Sequence, residues 1–466
     1  MMALSICFLG FLSSLSAAVA LFLHNDPLTP MKKRLLLPGH IKAAARDEFA
    51  PDRRSCLSSI IVLGTNSLVL SPFTSHAEAA TANDACAEAA TANDASSEST
   101  TITLPLEIAS GGTFSVRCTV FGANNNAFQV YRTIVDTGSP YLVLPYSGSD
   151  GGWKKKRRNL LTNTDDDYLM LSPSKYEPTE EIYGSVKGNI EWRLARYSFR
   201  DQRLQISPDI SNATGAIGVL DEALTNEATG VGRSPYGLLG LIQSSNPTAD
   251  RSRFPDPRPT FFEQEVIAVE AVSNDTSVGI AYQRIKSFSI NAPQRELTFS
   301  AKSLIQDQTN AMELVDLRKY GDFVDHYAVE VKSISFDGMA ISTKGIRRPI
   351  VAVFDSGLTG ILLIRPFWDF VQKYYADNSN AKDSAPSETH NFHSASMTVK
   401  QMGGKVCSLK SSLEDDPRQF YISPIDLDWF DDERTAPYCI ILGQTFLVQG
   451  TLTIDMDKRL STFCYN

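Results

Sequence analysis

Two stretches of the sequence each place an acidic residue at the end of an apolar, β-branched run. Residues 133–145 read TIVDTGSPYLVLP and contain Asp136, and residues 349–363 read PIVAVFDSGLTGILL and contain Asp355. A carboxylate that leaves an apolar strand is costly unless hydrogen bonds or chemistry retain it. In both stretches a small hydroxyl residue and a glycine follow the aspartate, so the second stretch repeats the pattern of the first.

Each aspartate motif is followed downstream by a second signature, two aliphatic residues and a glycine. Residues 238–240 read LLG after the first motif, and residues 441–443 read ILG after the second. The sequence therefore contains two copies of one plan, each about the size of an ordinary domain. Two carboxyls within hydrogen-bond reach cannot both ionise, because like charges that close repel strongly. They share one proton, so the ionised member can activate a water while the protonated member polarises a carbonyl.

This arrangement resembles the pepsin-like aspartic endopeptidases, over roughly residues 101–466. The resemblance implies a mainly β, bilobal fold, with an N-terminal lobe (101–290) and a C-terminal lobe (291–466). The two lobes would be related by a pseudo-twofold axis, with the active site between them. It also implies an aspartic-type endopeptidase in which Asp136 and Asp355 are catalytic and an extended polypeptide is the substrate. Such an enzyme would act as a monomer and would need no cofactor and no metal.

The same resemblance assigns supporting roles to the neighbours of the two aspartates. The residues concerned are Thr137, Gly138, Ser139, Ser356, Gly357 and Thr359. The glycines would let the backbone approach closely and donate N–H groups to the carboxylates. Thr137 and Ser356 would point away from substrate and hydrogen-bond across the interface between the lobes, and Ser139 would donate to Asp136.

A stretch between the first motif and the first aliphatic signature fits the position of the family's mobile hairpin, the flap. Residues 180–192 read EEIYGSVKGNIEW, which would place Tyr183 and Gly184 at the hairpin tip. A flap of this kind closes over an extended peptide, excludes water and adds backbone hydrogen bonds as an added strand does.

Two positions depart from the family pattern near the expected site. Leu358 stands where a Thr or Ser is usual, so its side chain cannot donate a hydrogen bond to Asp355. Losing a bond to the charged form raises the pKa of the pair, which predicts activity at a less acidic pH than is usual in the family. Val143 replaces a Trp that commonly supports the flap Tyr. These departures keep a second hypothesis open, a catalytically silent relative that binds peptides or proteins in the cleft.

Composition excludes several other classes of function. The chain has 466 residues, 42% apolar content and a formal net charge of −9, so it can bury a large core. An acidic body argues against nucleic acid as a partner. With six histidines, no H-E-x-x-H and no paired C-x-x-C, the sequence gives no zinc site.

Residues 1–100 are expected to be a presequence, propeptide and linker that precede the folded body. Residues 1–23 contain no charged side chain and indicate a signal peptide of about residues 1–20. The run is also long enough to span a bilayer, so an uncleaved anchor, and with it a membrane partner, is the competing interpretation.

A second export-like segment covers residues 53–79, where two arginines precede an apolar run and an A-x-A pattern. Two such signals resemble the presequences of thylakoid-lumen proteins in algae with secondary plastids. This layout predicts entry into the secretory route and onward transport to the plastid thylakoid lumen. The alternative is one signal peptide and the propeptide of a zymogen with one apolar helix, and then a vacuolar or extracellular location.

Cysteine usage gives a further expectation through the resemblance. The separation of Cys407 and Cys439 is close to that of the family's C-lobe disulfide. A disulfide between them would imply an oxidising compartment. The family joins the two ends of the body in one sheet, which makes a bridge between Cys118 and Cys464 a second expectation.

Overall fold

The structure, a computed structural model, describes the chain in segments between Thr100 and Tyr465. The described residues are 100–109, 112–121, 128–145, 171–183, 186–210, 214–221, 236–244, 258–272, 278–341, 346–378, 390–412, 421–425 and 435–465. The signal peptide at about 1–20, the export-like segment at 53–79 and the linker lie outside these residues. Their roles stay predictions.

Strands account for most of the described residues, which confirms the mainly β expectation. The first thirteen strands are β1 (Thr101–Pro105), β2 (Glu107–Ile108), β3 (Phe114–Phe121), β4 (Phe128–Asp136), β5 (Leu142–Leu144), β6 (Ser172–Pro173), β7 (Thr179–Tyr183), β8 (Val186–Ser198), β9 (Leu204–Ile206), β10 (Gly215–Leu220), β11 (Gly237–Gly240), β12 (Glu265–Val272) and β13 (Val278–Arg284). The remaining strands are β14 (Ser287–Asn291), β15 (Glu296–Ser300), β16 (Met312–Val315), β17 (Ala328–Phe336), β18 (Met339–Ala340), β19 (Ile350–Phe354), β20 (Ile361–Ile364), β21 (His390–Asn391), β22 (Ser394–Lys400), β23 (Val406–Ser412), β24 (Tyr421–Ile425), β25 (Tyr438–Leu442), β26 (Gly450–Asp455) and β27 (Leu460–Tyr465).

Helices are few and short in the part of the chain that the structure describes. The α-helices are α1 (Phe261–Gln264), α2 (Arg365–Asn378) and α3 (Gln444–Leu447), and short 3-10 helices lie at Leu317–Tyr320 and Met402–Gly404. Thr260 begins α1 with a capping box, in which its hydroxyl accepts from the Glu263 N–H and the Glu263 carboxylate accepts from the Thr260 N–H. Within the described segments no helix is long and apolar enough to cross a bilayer.

The strands form three sheets. The nine-stranded sheet follows the order β2-β3-β4-β11-β5-β10-β8-β6, with β7 paired to β8. The fifteen-stranded sheet runs β1-β15-β14-β26-β27-β16-β17-β19-β25-β20-β24-β21, with β18, β22 and β23 attached through β17 and β22. A three-stranded sheet, β13-β12-β9, completes the set.

One run of four strands occurs twice, once in each large sheet. In the first, β4 and β11 are parallel, β11 and β5 antiparallel, and β5 and β10 parallel. In the second, β19 and β25 are parallel, β25 and β20 antiparallel, and β20 and β24 parallel. The aspartate motifs and the aliphatic signatures occupy equivalent strands of the two runs. The sequence repeat is therefore also a structural repeat.

The ends of the described body are joined in the fifteen-stranded sheet. The N-terminal strand β1 pairs with β15, β15 pairs with β14, and β14 pairs with β26 near the C-terminus. The lobe boundary expected at residue 290 falls within β14, so at that point the chain is a sheet strand. The division into lobes of 101–290 and 291–466 stays a prediction.

The apolar core is continuous across these sheets. One cluster contains inward-facing residues of β4 and β11 together with residues of β14, β15, β19 and β25. Aromatic rings hold its middle, where the Phe262 ring lies 5.7 Å from Phe288 and 5.9 Å from Phe299. Burying each such ring contributes about 2 to 3 kcal/mol, so this packing ties the two repeats together.

The expected disulfides are absent from the structure, and both expectations are wrong there. Cys439 lies in β25 beside β19, in one apolar cluster, whereas Cys407 lies in β23 beside β22 and packs against another. Cys118 and Cys464 belong to strands of different sheets. Burial raises the pKa of the Cys118 and Cys439 thiols far above the ordinary value, so both stay protonated.

A buried glutamate lies where α1 meets β12. Glu265 is 1% exposed and sits beside Tyr197 and Cys118. Burial raises the pKa of Glu265 to about 8, and the Tyr197 hydroxyl offsets part of that rise. Glu265 is therefore protonated in the folded protein through the acidic range and at neutral pH.

Replacing Glu265 by Gln is expected to remove a pH dependence of stability. The folded chain keeps a proton that the unfolded chain releases at its ordinary pKa of 4.5, so this contribution falls as pH rises from 4.5 to about 8. The full difference corresponds to about 5 kcal/mol. Urea unfolding at about pH 4 and pH 8 measures it, with Glu313→Gln, an exposed glutamate of β16, as the matched control. Equal pH sensitivity of wild type and Glu265→Gln would contradict the prediction.

Candidate active site

Parallel strand pairs deliver the two aspartates to the same kind of position. β4 ends at Asp136, and β19 ends at Phe354, one residue before Asp355. Both side chains are buried, Asp136 at 0% and Asp355 at 4% exposure. In each case the aliphatic signature forms the neighbouring strand, with Gly240 opposite Asp136 and Leu442 opposite Phe354.

The glycines that close the two signatures have no room for a side chain. A Cβ on Gly240 would lie 2.3 Å from the Tyr141 nitrogen, and one on Gly443 would lie 2.4 Å from the Gly360 oxygen. Each glycine N–H instead donates into the loop that follows the aspartate, to the Tyr141 and Gly360 carbonyls, both at 2.9 Å. In each repeat, the loop after the aspartate therefore packs directly against the signature glycine, which is why a residue without a side chain is needed there.

The two motifs meet each other through their own glycines. A Cβ on Gly138 would lie 2.7 Å from Cγ and Oδ2 of Asp355. A Cβ on Gly357 would lie 2.7 Å from Cγ and Oδ1 of Asp136. Each carboxyl is therefore seated against the backbone of the opposite motif. The structure brings together the pair that the sequence singled out.

Hydrogen bonds of two hydroxyl side chains join the two aspartate motifs. Thr137 Oγ1 donates to the Phe354 carbonyl at 2.8 Å, and Ser356 Oγ donates to the Val135 carbonyl at 2.7 Å. The Ser356 N–H donates to Thr137 Oγ1 at 2.9 Å, and the Thr137 N–H donates to Ser356 Oγ at 3.1 Å. These four buried bonds form a reciprocal lock, the arrangement expected for Thr137 and Ser356.

The two carboxyls accept hydrogen bonds from different sets of donors. Asp136 accepts from the Gly138 N–H at 2.8 Å and from the Ser139 hydroxyl at 2.7 Å. Asp355 accepts from the Gly357 N–H at 2.9 Å, and the aliphatic side chain of Leu358 has no hydroxyl to donate. Burial, and after it the Asp136 carboxylate, raise the pKa of Asp355 well above its usual range. The shared proton therefore belongs on Asp355, a choice that the sequence could not make.

The Leu358 side chain is part of the apolar core. It packs in an apolar cluster with Leu317, Phe323 and Val353 of the second repeat. The side chain is 1% exposed, and the Leu358 N–H donates to the Asp355 backbone carbonyl at 3.3 Å. This departure from the family pattern removes a hydroxyl donor and fills the core.

The loop after Asp355 is clamped by α3. The Thr445 N–H and Oγ1 both donate to the Thr359 carbonyl, at 3.0 and 2.7 Å. Gln444 Nε2 donates to the Ser356 carbonyl at 2.7 Å. Thr359 thus supports the second motif through its backbone, which α3 holds in place.

The expected flap is described in part. β7 ends at Tyr183, which pairs with Val186 at the start of β8, so the two strands form an antiparallel hairpin. Gly184 lies outside the described residues. The role of Tyr183 and Gly184 in binding substrate stays a prediction.

Sequence reasoning missed a tryptophan that supports this hairpin. The Trp192 ring lies 4.9 Å from Tyr141, packs in one cluster with Val143, and donates from Nε1 to Thr179 Oγ1 of β7 at 3.0 Å. An indole thus reaches β7 from β8 and packs near Val143. Its inward position in the alternating run EWRLARYS was the available signal. A second residue that the sequence did not single out, His326, is buried and lies with its Nδ1 2.7 Å from Asp322 Oδ2.

Removing either locking hydroxyl is expected to destabilise the fold. Thr137→Val leaves the Ser356 N–H without its acceptor, and Ser356→Ala leaves the Thr137 N–H without its own, at about 1 to 3 kcal/mol each. Because both hydroxyls belong to one hydrogen-bond network across the two motifs, the loss in the double variant should differ from the sum of the two single losses by about 0.5 kcal/mol or more. Chemical unfolding measures this, with Thr103→Val, which removes an exposed hydroxyl bond to Thr298, as the control. Strict additivity would argue against the lock.

Giving Asp355 a hydroxyl neighbour is expected to lower the pKa of the pair. Leu358→Ser restores a donor of the kind that Ser139 gives Asp136, at a cost in packing of about 2 to 4 kcal/mol. Leu358→Ala has nearly the same packing loss and no donor. Carboxyl ¹³C titration by NMR should show the pair ionising at lower pH in Leu358→Ser than in Leu358→Ala. Identical titrations would mean that the missing hydroxyl does not tune the site.

Comparison with known proteins gives this chain no family. No protein-family model matches the sequence, and no curated protein matches it. Function is therefore argued from the residues and contacts described above.

Proposed function

We propose that this protein is an aspartic endopeptidase of the pepsin-like, bilobal type that hydrolyses peptide bonds in extended polypeptides. The observation that supports it most is the mutual seating of two buried carboxyls, each against the glycine of the other motif. Burying two acids in contact raises the free energy of the fold, and neutral side chains of the same shape would avoid that cost. Such a pair is typical of a functional site.

The hydrogen-bond donors around the carboxyls fit different roles for the two aspartates, a general base and a general acid. Asp136, held by the Gly138 N–H and the Ser139 hydroxyl, is the ionised member and takes a proton from a bound water. Protonated Asp355 donates its hydrogen bond to the oxygen of the scissile carbonyl. The water oxygen then bonds to the carbonyl carbon. Collapse of the tetrahedral intermediate breaks the C–N bond, and the departing nitrogen takes a proton from the pair.

The proposed two-lobe fold is supported by the repeated run of four strands. Each run carries one aspartate at the same end of a parallel pair, so two equivalent units meet at the carboxyls. The hairpin of β7 and β8 belongs to the first unit and would close over a substrate strand. Under this proposal the enzyme works as a monomer without cofactor or metal and enters the endomembrane system by means of residues 1–79.

The alternative is a silent peptide-binding relative. The observation that favours it is Leu358, because Asp355 lacks the hydroxyl donor that Asp136 has. Against it, both carboxyls keep their N–H donors and their contact with one another. We therefore propose the active endopeptidase rather than the silent relative.

Cleavage of an unfolded protein at acid pH tests the proposal. The full chain, incubated in acid to release any propeptide, should cut the substrate, and a pepstatin-type inhibitor should block cutting. Asp136→Asn and Asp355→Asn should each lower kcat by about 100-fold or more, because base or acid is lost. Asp307→Asn makes the same change at an exposed site and should leave the rate unaltered. Inhibitor binding without cleavage would favour the silent relative.

A further inference from the structure

Tyr327 reaches from the second repeat to the strand end beside Asp136. It lies just before β17, its side chain is 2% exposed, and its Oη donates to the Leu241 carbonyl at 2.6 Å. Leu241 directly follows β11, the signature strand of the first repeat. A side chain of one repeat thus holds a backbone carbonyl of the other.

The strand end that Tyr327 holds also supports Asp136 and its hydroxyl donor. The Leu241 N–H donates to the Asp136 backbone carbonyl at 2.8 Å, and the Ile242 N–H donates to the Ser139 carbonyl at 3.1 Å. Ser139 in turn donates its hydroxyl to Asp136 Oδ2 at 2.7 Å. A shift of this strand end would therefore move both the aspartate and a donor that favours its ionised form.

The backbone of Tyr327 is bonded to the second motif. Its carbonyl accepts from the Phe354 N–H at 3.0 Å, and Phe354 immediately precedes Asp355. The Phe354 carbonyl accepts the Thr137 hydroxyl of the lock at 2.8 Å. Tyr327 thus contacts the backbone that supports one aspartate with its side chain, and the backbone that supports the other with its main chain.

We propose that Tyr327 is a positioning residue of the paired-carboxylate site, and that its hydroxyl fixes the position of Asp136 relative to Asp355. The inference rests on the proposed function, because relative position matters through the chemistry that the two carboxyls perform. It concerns a residue that lies outside both aspartate motifs, both aliphatic signatures and the expected flap.

The equivalent residue of the first repeat indicates that packing alone does not require the hydroxyl. The residue after Tyr327 lies opposite Val353, and the residue after Phe114 lies opposite Ile134, each two positions before an aspartate. Phe114 is 2% exposed and belongs to the same apolar cluster as Tyr327. A phenyl ring therefore meets the packing need at this position, and the hydroxyl of Tyr327 serves the hydrogen bond between the repeats.

The segment that carries Tyr327 is anchored by its neighbour Asp325. The Asp325 carboxylate is 6% exposed and pairs with Arg459 at 2.5 and 3.0 Å. The Asp325 N–H donates to the Ser244 carbonyl at 3.2 Å, so a second bond joins this segment to the chain just after the strand end. The hydroxyl of Tyr327 is therefore presented from a fixed position.

The Tyr327 hydroxyl remains a donor throughout the range in which carboxyls titrate. Burial, and after it the Asp325 carboxylate, raise the pKa of Tyr327 well above its usual value of 10. The ring packs edge-on against Phe288, with 5.5 Å between the ring centroids. Because the hydroxyl does not itself ionise in this range, a change of titration in a variant that lacks it reports on the carboxyl pair.

Carboxyl ¹³C titration by NMR on Tyr327→Phe tests the proposal without any need for activity. The variant keeps the ring and the backbone and removes one donor from the Leu241 carbonyl. With the strand end less firmly held, the pair should ionise about 0.5 pH unit higher than in wild type, whereas a loss of stability alone would leave the titration in place. Tyr375→Phe, the control, removes another phenol bond of the second repeat, to Asp337 at 3.1 Å, and should not move it.

Kinetics give a second readout if the chain is active. Tyr327→Phe should lower kcat about 10-fold, because the reacting groups are less well placed, and change KM by less than about twofold. A residue that is 2% exposed does not contact the substrate, which is why KM should hold. Rates taken per folded molecule remove the effect of lost stability, and Tyr375→Phe should keep both constants.

Two results would overturn the proposal. One is a carboxyl titration in Tyr327→Phe that superimposes on that of wild type, and the other is an unchanged kcat in an active enzyme. Should the variant fail to fold, the wild-type hydroxyl proton of Tyr327 decides. It should exchange slowly with water and show a nuclear Overhauser effect to Leu241, and a rapidly exchanging proton would also overturn the proposal.

Activity separates this inference from the proposed function. A chain that cuts no peptide, but whose carboxyl titration moves in Tyr327→Phe, loses the enzymatic assignment and keeps the role of Tyr327. A chain that cuts normally, with the same titration and the same kcat in Tyr327→Phe, loses this proposal alone.

Discussion

The carboxyls of Asp136 and Asp355 are each seated on a glycine of the opposite motif, at a distance that excludes a Cβ atom. Such close contact requires that the two aspartate motifs cannot move apart. Both motifs are therefore fixed twice, by the reciprocal Thr137 and Ser356 bonds and by signature strands whose glycines press against the following loops. The neighbouring strands, in turn, are held by a core that contains residues of both repeats. The two large sheets thus hold the two aspartate motifs in contact with each other.

Symmetry in the backbone coexists with asymmetry in the electrostatics. The repeated strands and the hydroxyl lock give the two aspartates equivalent surroundings. The third residue after each aspartate differs, because it is Ser139 in the first motif and Leu358 in the second. Ser139 donates to Asp136, whereas Leu358 places its side chain in the core. A pair that shares one proton needs some inequality to decide which member holds it. The chain supplies that inequality at one position, so the exchange of a hydroxyl for an aliphatic side chain assigns the roles without disturbing the scaffold.

Much of this arrangement was readable from the sequence because the chemistry is local. The aspartates, their glycines and hydroxyls, and the signature glycines lie in short contiguous motifs, and the alternating runs predict the strands. His326 and Trp192 were not predictable in this way, since D-x-x-x-H is an ordinary pattern and an inward Trp acquires a role only from the strand that pairs beside it. The orientation of Leu358 and the absence of the expected disulfides have the same cause. Both depend on which cluster a strand faces, and spacing along the chain does not encode this.

Three buried groups link the fold to acid conditions by a common rule. Burial raises the pKa of Glu265 and of Asp355, and Asp322 helps to raise that of His326 against the effect of burial. For each group the folded chain holds its proton to a higher pH than the unfolded chain does, so the contribution of each to stability declines as pH rises. Ion pairs at Asp201 and Glu330 lower the pKa of those carboxyls and act in the opposite direction, but they are largely exposed and contribute little. The buried groups outweigh them, because a charge costs most where water is excluded. The paired carboxyls therefore belong to a body that itself retains protons on folding. The same acidity that keeps Asp355 protonated also keeps Glu265 neutral.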